Sequence, residues 1–134
     1  MHEPWLELPV CLLPFIMKSV FVCGVCRHRS VGTDGELKLS KLEENVRIPE
    51  ILDMSPFTTD SAPRDMTYVL DGVIHHQGKQ CHEGHYVAFA HNDGRWRKYD
   101  DQVVLDNVDE GEVLSKEVVI LSYTRRPLFL MHNA

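Results

Sequence analysis

The stretch GHYVAFAHNDGRWRKYDD, residues 84–101, decides how the rest of the chain is interpreted. The dipeptide Asp93-Gly94 lies between two runs that carry aromatic residues, and it is typical of a two-residue type I′ turn. The stretch therefore predicts an antiparallel hairpin whose arms are residues 86–90 and 95–100.

The register of this hairpin brings a histidine and an aspartate to one face. The two-residue turn pairs Val87 with Asp100. It likewise pairs His85 with Gln102, so that His85 and Asp100 become diagonal neighbours whose side chains can meet. With a three-residue loop, Asp101 would lie directly opposite His85, and Asp101 therefore stays the register-dependent alternative.

An imidazole beside a carboxylate is a common part of nucleophilic catalytic sites. The carboxylate fixes the tautomer of the ring and stabilises the imidazolium, so the other ring nitrogen can act as a base. The same two residues on an exposed hairpin are also common as plain solvated polar groups. The hairpin alone thus supplies two of the three groups of a catalytic triad, and a nucleophile has to be found elsewhere.

Length and composition limit the possible classes of protein. The chain has 134 residues, 43% of them hydrophobic and 25% charged, which fits one modest soluble domain or a piece of a larger one. The net charge of -6 and the lack of a basic patch argue against a nucleic-acid partner. Acidic residues are concentrated late in the sequence, which fits either a solvated edge or a surface for a basic partner.

The cysteines and the N-terminus bear on location. The 4 cysteines have irregular spacing that does not indicate a disulfide framework: Cys11, Cys23, Cys26 and Cys81. The apolar segment 8–26 contains prolines and a lysine, and it lacks a small-residue cleavage site. We therefore expect a cytoplasmic or nuclear protein with neither a signal peptide nor a membrane span.

The remaining patterns predict several antiparallel strands and little helix. Residues 68–76 have strand composition, and the apolar run 118–123 is typical of a strand buried on both faces. Residues 106–117 could hold a short helix. The remaining assignments are a turn at 31–35, a strand end at 46–48, a surface connection at 53–65 and a polar loop at 77–84.

Four blocks of sequence, in order, resemble the histidine box of the ubiquitin-specific proteases, papain-like cysteine peptidases that cleave ubiquitin from proteins. The blocks are YVLDGVIHHQG at 68–78, GHYVAF at 84–89, WRKYDDQVV at 96–104 and ILSYTR at 120–125, and VRIPEILDMSPF at 46–57 resembles the segment before the box. The resemblance implies an α+β fold, mostly antiparallel β-sheet, that forms the C-terminal part of a papain-like cysteine peptidase. It divides the chain into a divergent or truncated N-terminal segment (1–35), the C-terminal part of a catalytic domain (36–126) and a tail (127–134).

The resemblance also assigns roles to residues. His85 would be the general base, Asp100 the residue that orients it, and Asp101 a further catalytic group, either supporting these two from behind or on the oxyanion side. The implied partners are ubiquitin or ubiquitinated proteins, and no nucleic acid, membrane, cofactor or metal is expected.

The loop 77–84 and the histidines around it receive roles from the same resemblance. The loop would be a mobile segment over the C-terminal tail of ubiquitin, with Gly78, Gly84 and Tyr86 in contact with the substrate. His76 would be a structural support. The two other histidines of this region, His75 and His82, are expected to be solvated.

The chain departs from the family pattern at its N-terminal side. Nothing matches the cysteine box G-L-x-N-x-G-N-T-C-[YF]-x-N, which places the nucleophile at a helix N-terminus where its pKa is lowered. Residues 15–20 only weakly resemble the family's L-K-R-[FY] strand. Cys23-x-x-Cys26 could be half of a zinc ribbon, but a tetrahedral site needs two such pairs.

Two functions therefore stay open from the sequence. One is a catalytic-domain fragment of a cysteine-type deubiquitinase that carries the base and its orienting carboxylate. The alternative is a non-catalytic ubiquitin-binding fragment, or pseudo-deubiquitinase, that lacks the nucleophilic cysteine. A zinc-binding module built on Cys23 and Cys26 is a third, weaker hypothesis.

Overall fold

The computed structural model describes residues 20–25, 27–33, 36–57, 66–80 and 82–126. The strands and helices of these residues follow one another in this order: β1 (Val20–Gly24), β2 (His28–Thr33), β3 (Glu36–Lys41), β4 (Ile51–Asp53), a 3₁₀ turn (Ser55–Phe57), β5 (Thr67–Gln77), β6 (His85–Asn92), β7 (Arg95–Asp100), β8 (Val103–Asp106), α1 (Glu110–Val113) and β9 (Val118–Arg125). None of the helices in this part of the chain has the length and apolar character needed to cross a membrane.

A 7-stranded sheet dominates the described residues. Its strand order is β1-β9-β5-β6-β7-β8, with β4 paired to β5, and every pairing is antiparallel. Strands β2 and β3 form a separate two-stranded sheet. The predicted mostly antiparallel architecture is confirmed.

The strand β1 adds the N-terminal part of the chain to this sheet. Val20 pairs with Thr124 and Gly24 with Ile120 along β9. A strand therefore lies within the segment 1–35 that was expected to be divergent. The predicted tail, 127–134, lies outside the described residues.

The hydrophobic core lies on one face of the large sheet. Leu70 and Val73 of β5, Val87 of β6 and Tyr123 of β9 are nearly inaccessible, and α1 covers them with Val113. Asp109 caps α1 by accepting a hydrogen bond from the Gly111 amide at 2.9 Å. This short helix is all that forms of the helix expected at 106–117.

The other face of the sheet is open among the described residues. Val22 on β1 is 46% exposed and Ile120 on β9 is 37% exposed. The prediction that 118–123 is buried on both faces is therefore wrong. A continuous apolar run allows a strand to be buried on both of its faces. The layers that bury it must come from other parts of a protein, and the run itself does not specify them.

Two local predictions also need correction. The strand end expected at 46–48 is irregular, and β4 begins only at Ile51, after Pro49, which has no amide to donate to a ladder. The carbonyl of Pro49 instead accepts a hydrogen bond from the Tyr123 hydroxyl at 2.8 Å. Residues 31–33 were expected in a turn but are the last residues of strand β2, and Thr33 pairs with Glu36 of β3. Residues 34–35 lie outside the described residues.

Candidate active site

The hairpin β6–β7 forms with the predicted turn. Asp93 and Gly94 have φ angles of 52° and 73°, as a type I′ turn requires, and Asn92 pairs with Arg95. No residue faces Gly94 closely enough to restrict it, so the turn chemistry alone accounts for its position. The register prediction that depends on a two-residue turn is confirmed here.

The far end of the hairpin differs from the prediction. The β6–β7 ladder ends at the pair Ala88–Tyr99, so the expected pairs of Val87 with Asp100 and of His85 with Gln102 are absent from it. The chain instead turns at Asp101, which has φ 50°, and starts β8. An aspartate tolerates this left-handed backbone conformation better than most residues, which lets β7 end one residue after Tyr99.

His85 and Asp100 nevertheless meet. His85 is the first residue of β6 and pairs with Gln77 of β5, while Asp100 is the last residue of β7. The Nε2 atom of His85 lies 2.6 Å from Oδ1 of Asp100, and the two side chains are 44% and 35% exposed. The structure thus brings together the histidine and the carboxylate that the hairpin was predicted to bring together, at a surface that a substrate can reach.

The electrostatics of the pair favour the charged ring. The hydrogen bond that the ring donates to Asp100 raises the pKa of His85 above its ordinary value, and the charge of Asp101 adds to this effect. Lys98 acts in the opposite direction. Because Nε2 is engaged by Asp100, Nδ1 is the ring nitrogen that can exchange a proton with a substrate or a nucleophile.

Asp101 lies beside the pair. A possible metal ligand atom of Asp101 lies within 4.8 Å of one from His85 and one from Asp100. In the described part of the chain, these three residues are the one group with the spacing to hold a metal ion. Exposed acidic groups often have this spacing without holding an ion. The expectation that no metal is bound therefore stays a prediction, as does the catalytic role of Asp101.

The two ends of the loop 77–84 touch each other through glycines. A Cβ atom on Gly78, whose φ is 149°, would lie 2.7 Å from the Glu83 carbonyl oxygen. A Cβ atom on Gly84 would lie 2.5 Å from the Gln77 carbonyl oxygen and 2.3 Å from Nε2 of His76. Close backbone approach is thus the immediate reason for both glycines.

The three histidines near this loop have different environments. His76, expected to be a structural support, is buried with its ring centroid 4.9 Å from that of Tyr86. His82 is exposed, as predicted. Tyr86 is 62% exposed, which leaves it available for contact with a partner.

His75 corrects a prediction, because it is buried and not solvated. Its exposure is 1%, its ring packs against Phe89, and its Nε2 lies 2.7 Å from the Val113 carbonyl oxygen. His75 follows the buried Val73 by two residues, so the alternation of β5 places it on the core face, where it pairs with Val87 of β6. Burial lowers the pKa of His75, so the neutral ring donates to Val113.

Lys41 is a residue near the site that no sequence motif marks. It ends strand β3 in a polar stretch, yet its side chain is only 4% exposed and contacts the start of the loop at Gly78. A buried lysine among oxygen acceptors depends on contacts between distant segments, so its local sequence carries no signal for it.

The cysteines offer no suitable nucleophile in the described residues. Cys23 is half-buried in β1 opposite Leu121, and burial raises the pKa of its thiol. A catalytic cysteine needs the opposite shift, because the thiolate is the reactive form. Cys11, Cys26 and Cys81 lie outside the described residues, as does any pairing of Cys23 with Cys26 in a zinc site.

Comparison with known proteins identifies the family. The family model described as ubiquitin carboxyl-terminal hydrolase matches residues 20–123, which is most of the chain. The chain belongs to the ubiquitin carboxyl-terminal hydrolase family. The membership predicted from the histidine box, in the ubiquitin-specific protease family of deubiquitinases, is therefore confirmed.

Individual relatives agree with this assignment. A human protein named ubiquitin carboxyl-terminal hydrolase 17-like protein 11 is 27% identical over 136 residues, which covers 87% of this chain and 25% of the relative. The chain therefore spans about a quarter of that protein's length.

Solved structures show the same fold. A structure of the Ubp8-Sgf11-Sgf73-Sus1 SAGA DUB module matches with a TM-score of 0.65 and 33% identity over 81% of this chain and 24% of the matched chain. A SAGA DUB module with variant Ubp8, bound to monoubiquitin, matches with a TM-score of 0.68 and 31% identity over 81% and 23%. The α+β fold predicted for this member of the family, that of part of a papain-like cysteine peptidase, is confirmed.

Proposed function

We propose that this chain is a catalytic-domain fragment of a cysteine-type deubiquitinase, with His85 as its general base and Asp100 as the carboxylate that orients it. One observation carries the proposal: Nε2 of His85 contacts Asp100 at 2.6 Å and leaves Nδ1 of a half-exposed ring for proton transfer. Membership in the ubiquitin-specific protease family supports the same roles.

The proposed reaction uses this geometry. A cysteine thiol gives its proton to Nδ1 of His85, and the thiolate attacks the carbonyl carbon of ubiquitin's last glycine. The tetrahedral intermediate collapses to a thioester as His85 returns the proton to the leaving lysine amine. A water molecule, deprotonated by His85, then cleaves the thioester and releases the ubiquitin carboxylate and the thiol. Asp100 stabilises the imidazolium that forms in each half of the cycle.

The nucleophile in this proposal comes from outside the described residues. The sequence has no cysteine box, and Cys23 is half-buried with a raised pKa. The substrate is ubiquitin or a ubiquitinated protein, which the ubiquitin-bound state of a structural relative supports. A cytoplasmic or nuclear location, and the absence of nucleic-acid and membrane contacts, stay predictions.

A second candidate function is ubiquitin binding without catalysis. In that case the chain binds ubiquitin through the same hairpin and loop without turnover. Tyr86, at 62% exposure beside the loop, gives such a surface an aromatic contact residue. The two candidates share a binding site and differ in whether a thiol reaches His85.

Two measurements on the 134-residue chain test whether it binds ubiquitin and whether it carries a reactive nucleophile. The chain is incubated with ubiquitin that carries a C-terminal electrophile, and its affinity for unmodified ubiquitin is measured by titration calorimetry. Covalent labelling would contradict the non-catalytic function. Binding without labelling is expected for both functions when the nucleophile lies on another segment, and the activity assay with an added thiol then separates them. A chain that shows neither labelling nor binding would contradict both.

The role of His85 requires an activity assay with a thiol present. The cysteine-box segment of a human relative is added in trans, and release of a fluorophore from the ubiquitin C-terminus is followed. We expect His85→Ala to lower any such activity by about 10² to 10⁴. The variant His82→Ala removes an exposed histidine of the neighbouring loop and serves as the control.

A further inference from the structure

A buried cation holds the start of the loop. In the structure the loop begins at residue 78, because β5 ends at Gln77. Nζ of Lys41 donates to the His76 carbonyl oxygen at 2.6 Å, to the Gly78 carbonyl oxygen at 2.7 Å and to Oε2 of Glu117 at 2.7 Å. An ammonium group has three protons, so all of its donors are used. A lysine with a side chain only 4% exposed stays charged at low cost only when it is paired in this way.

The acceptors connect Lys41 to His85 in a few steps. Gly78 is the first residue after β5, and its backbone packs against Glu83 and Gly84 so closely that a Cβ atom on it would lie 3.0 Å from the Cα of Gly84. Gly84 directly precedes His85 in the chain. A shift of Gly78 therefore moves the residue that begins β6.

The carbonyl acceptors and the carboxylate acceptor have different functions in this cluster. The backbone carbonyls of His76 and Gly78 define where the loop begins. The Glu117 side chain supplies the negative charge, while its backbone is held separately by the hydrogen bond from the His76 amide at 2.9 Å. Removing the lysine should therefore release the loop, whereas neutralising the glutamate while keeping its acceptor oxygen should release it less, because both carbonyl contacts remain.

We propose that Lys41 is a positioning residue that holds the start of the loop at Gly78 and thereby keeps His85 opposite Asp100. The importance of this position for a reaction depends on the function proposed above for His85. The positioning itself is a property of the free chain, and it can be measured without ubiquitin.

The test compares three variants of the full chain by NMR. Lys41→Met removes the donors, Glu117→Gln keeps an acceptor oxygen, and Lys116→Met removes an exposed lysine that pairs with Glu43 at 3.3 Å. Amide hydrogen exchange is measured at residues 78–80 and 82–85, and the His85 ring is titrated with pH. For Lys41→Met we expect exchange in the loop to accelerate about tenfold or more relative to β7, and the His85 pKa to fall toward its ordinary value.

Lys116→Met should leave both quantities close to those of the parent chain. Glu117→Gln should change them less than Lys41→Met does, because the contacts of Lys41 with both backbone carbonyls remain. Unchanged exchange and titration in Lys41→Met would overturn the proposal. So would a uniform acceleration of exchange throughout β5, β6 and β9 with an unchanged His85 titration, since that pattern means a general loss of stability.

If Lys41→Met does not fold, Lys41→Gln, which keeps an amide donor, is measured in the same way and judged by the same criteria. A parent chain that fails to bind ubiquitin would contradict the proposed function and leave these results valid.

Discussion

Nε2 of His85 and Oδ1 of Asp100 lie 2.6 Å apart, although the two residues are 15 positions apart in sequence and the ladder between their strands has already ended at Ala88–Tyr99. The contact is therefore made by side chains alone. Beyond the ladder, β6 and β7 are free to pair with other strands, as His85 does with Gln77 and Asp100 does with Val103. The hairpin brings the two groups together, and the ends of its arms present them to solvent.

The first prediction concerns the pKa of His85. Asp100 is the main cause of its increase, so Asp100→Asn should lower this pKa toward the ordinary value of histidine. The pH titration of the His85 ring by NMR measures the change. Because the folded-state pKa is raised, the stabilisation from this pair is present below the unfolded-state pKa and is lost as the pH rises through the folded-state value.

Asp101→Asn is the matched control for this measurement. It removes a neighbouring charge and leaves the hydrogen bond in place, so it should lower the His85 pKa less than Asp100→Asn does. A larger effect from Asp101→Asn would show that Asp101 is the true partner, which is the alternative that a three-residue turn would produce.

The second prediction concerns stability in acid. Burial lowers the pKa of His75, so below the ordinary pKa of histidine the unfolded chain takes up a proton that the folded chain excludes. The free energy of unfolding should therefore fall as the pH drops from about 6.5 through the folded-state pKa of His75. Urea unfolding at a series of pH values tests this, and His75→Gln, which can still donate to Val113, should weaken the dependence.

His82→Gln provides the comparison, since it removes an exposed imidazole from the loop. We expect the pH dependence of this variant to match that of the parent chain. An acid sensitivity that survives His75→Gln undiminished would rule out His75 as its source.

Local chemistry explains why part of this fold could be predicted from sequence. The Asp93-Gly94 turn determines which residues pair across β6 and β7, and that information is complete within a few residues. At the other end of the hairpin, the left-handed backbone of Asp101 starts a second turn, which ends the pairing of β6 with β7. The meeting of His85 and Asp100 could thus be predicted, although the pairs expected around them could not.

Packing between distant segments explains what could not be predicted. Whether one or both faces of β9 are covered depends on what lies over Ile120, which its own apolar sequence does not specify. The burial of His75 depends on Phe89 and on the Val113 carbonyl of α1, and that of Lys41 depends on oxygen atoms supplied by β5 and by Glu117. Each of these environments is built from residues far apart in the chain.

The third prediction concerns the close packing at Gly84. In Gly84→Ala the new methyl carbon would lie 2.5 Å from the backbone carbonyl oxygen of Gln77, which cannot move without disturbing β5. We expect a loss of about 1–3 kcal/mol in the free energy of unfolding, measured by urea denaturation. Gly24→Ala is the control, because its Cβ would lie no closer than 3.9 Å to the nearest atom, the Val119 carbonyl oxygen. Equal losses in both variants would contradict the packing argument.

The last prediction concerns the open face of the large sheet. Val22, Ile74 and Ile120 line an apolar groove there, and nothing in the described part of the chain covers Ile120. An apolar patch of this kind promotes association, so the isolated chain should self-associate or aggregate at micromolar concentration. Ile120→Thr keeps a β-branched side chain and should shift the chain toward monomer by about tenfold in its dissociation constant, measured by analytical ultracentrifugation.

Phe57→Ser distinguishes this face from exposed apolar area in general. Phe57 is 78% exposed, more than Ile120, but it lies in the 3₁₀ turn and outside the sheet. If the open face drives association, Phe57→Ser should leave the dissociation constant unchanged while Ile120→Thr raises it. A parent chain that is monomeric and unfolds cooperatively at micromolar concentration would contradict this prediction, because it would mean that the open face is stable in water without a covering layer.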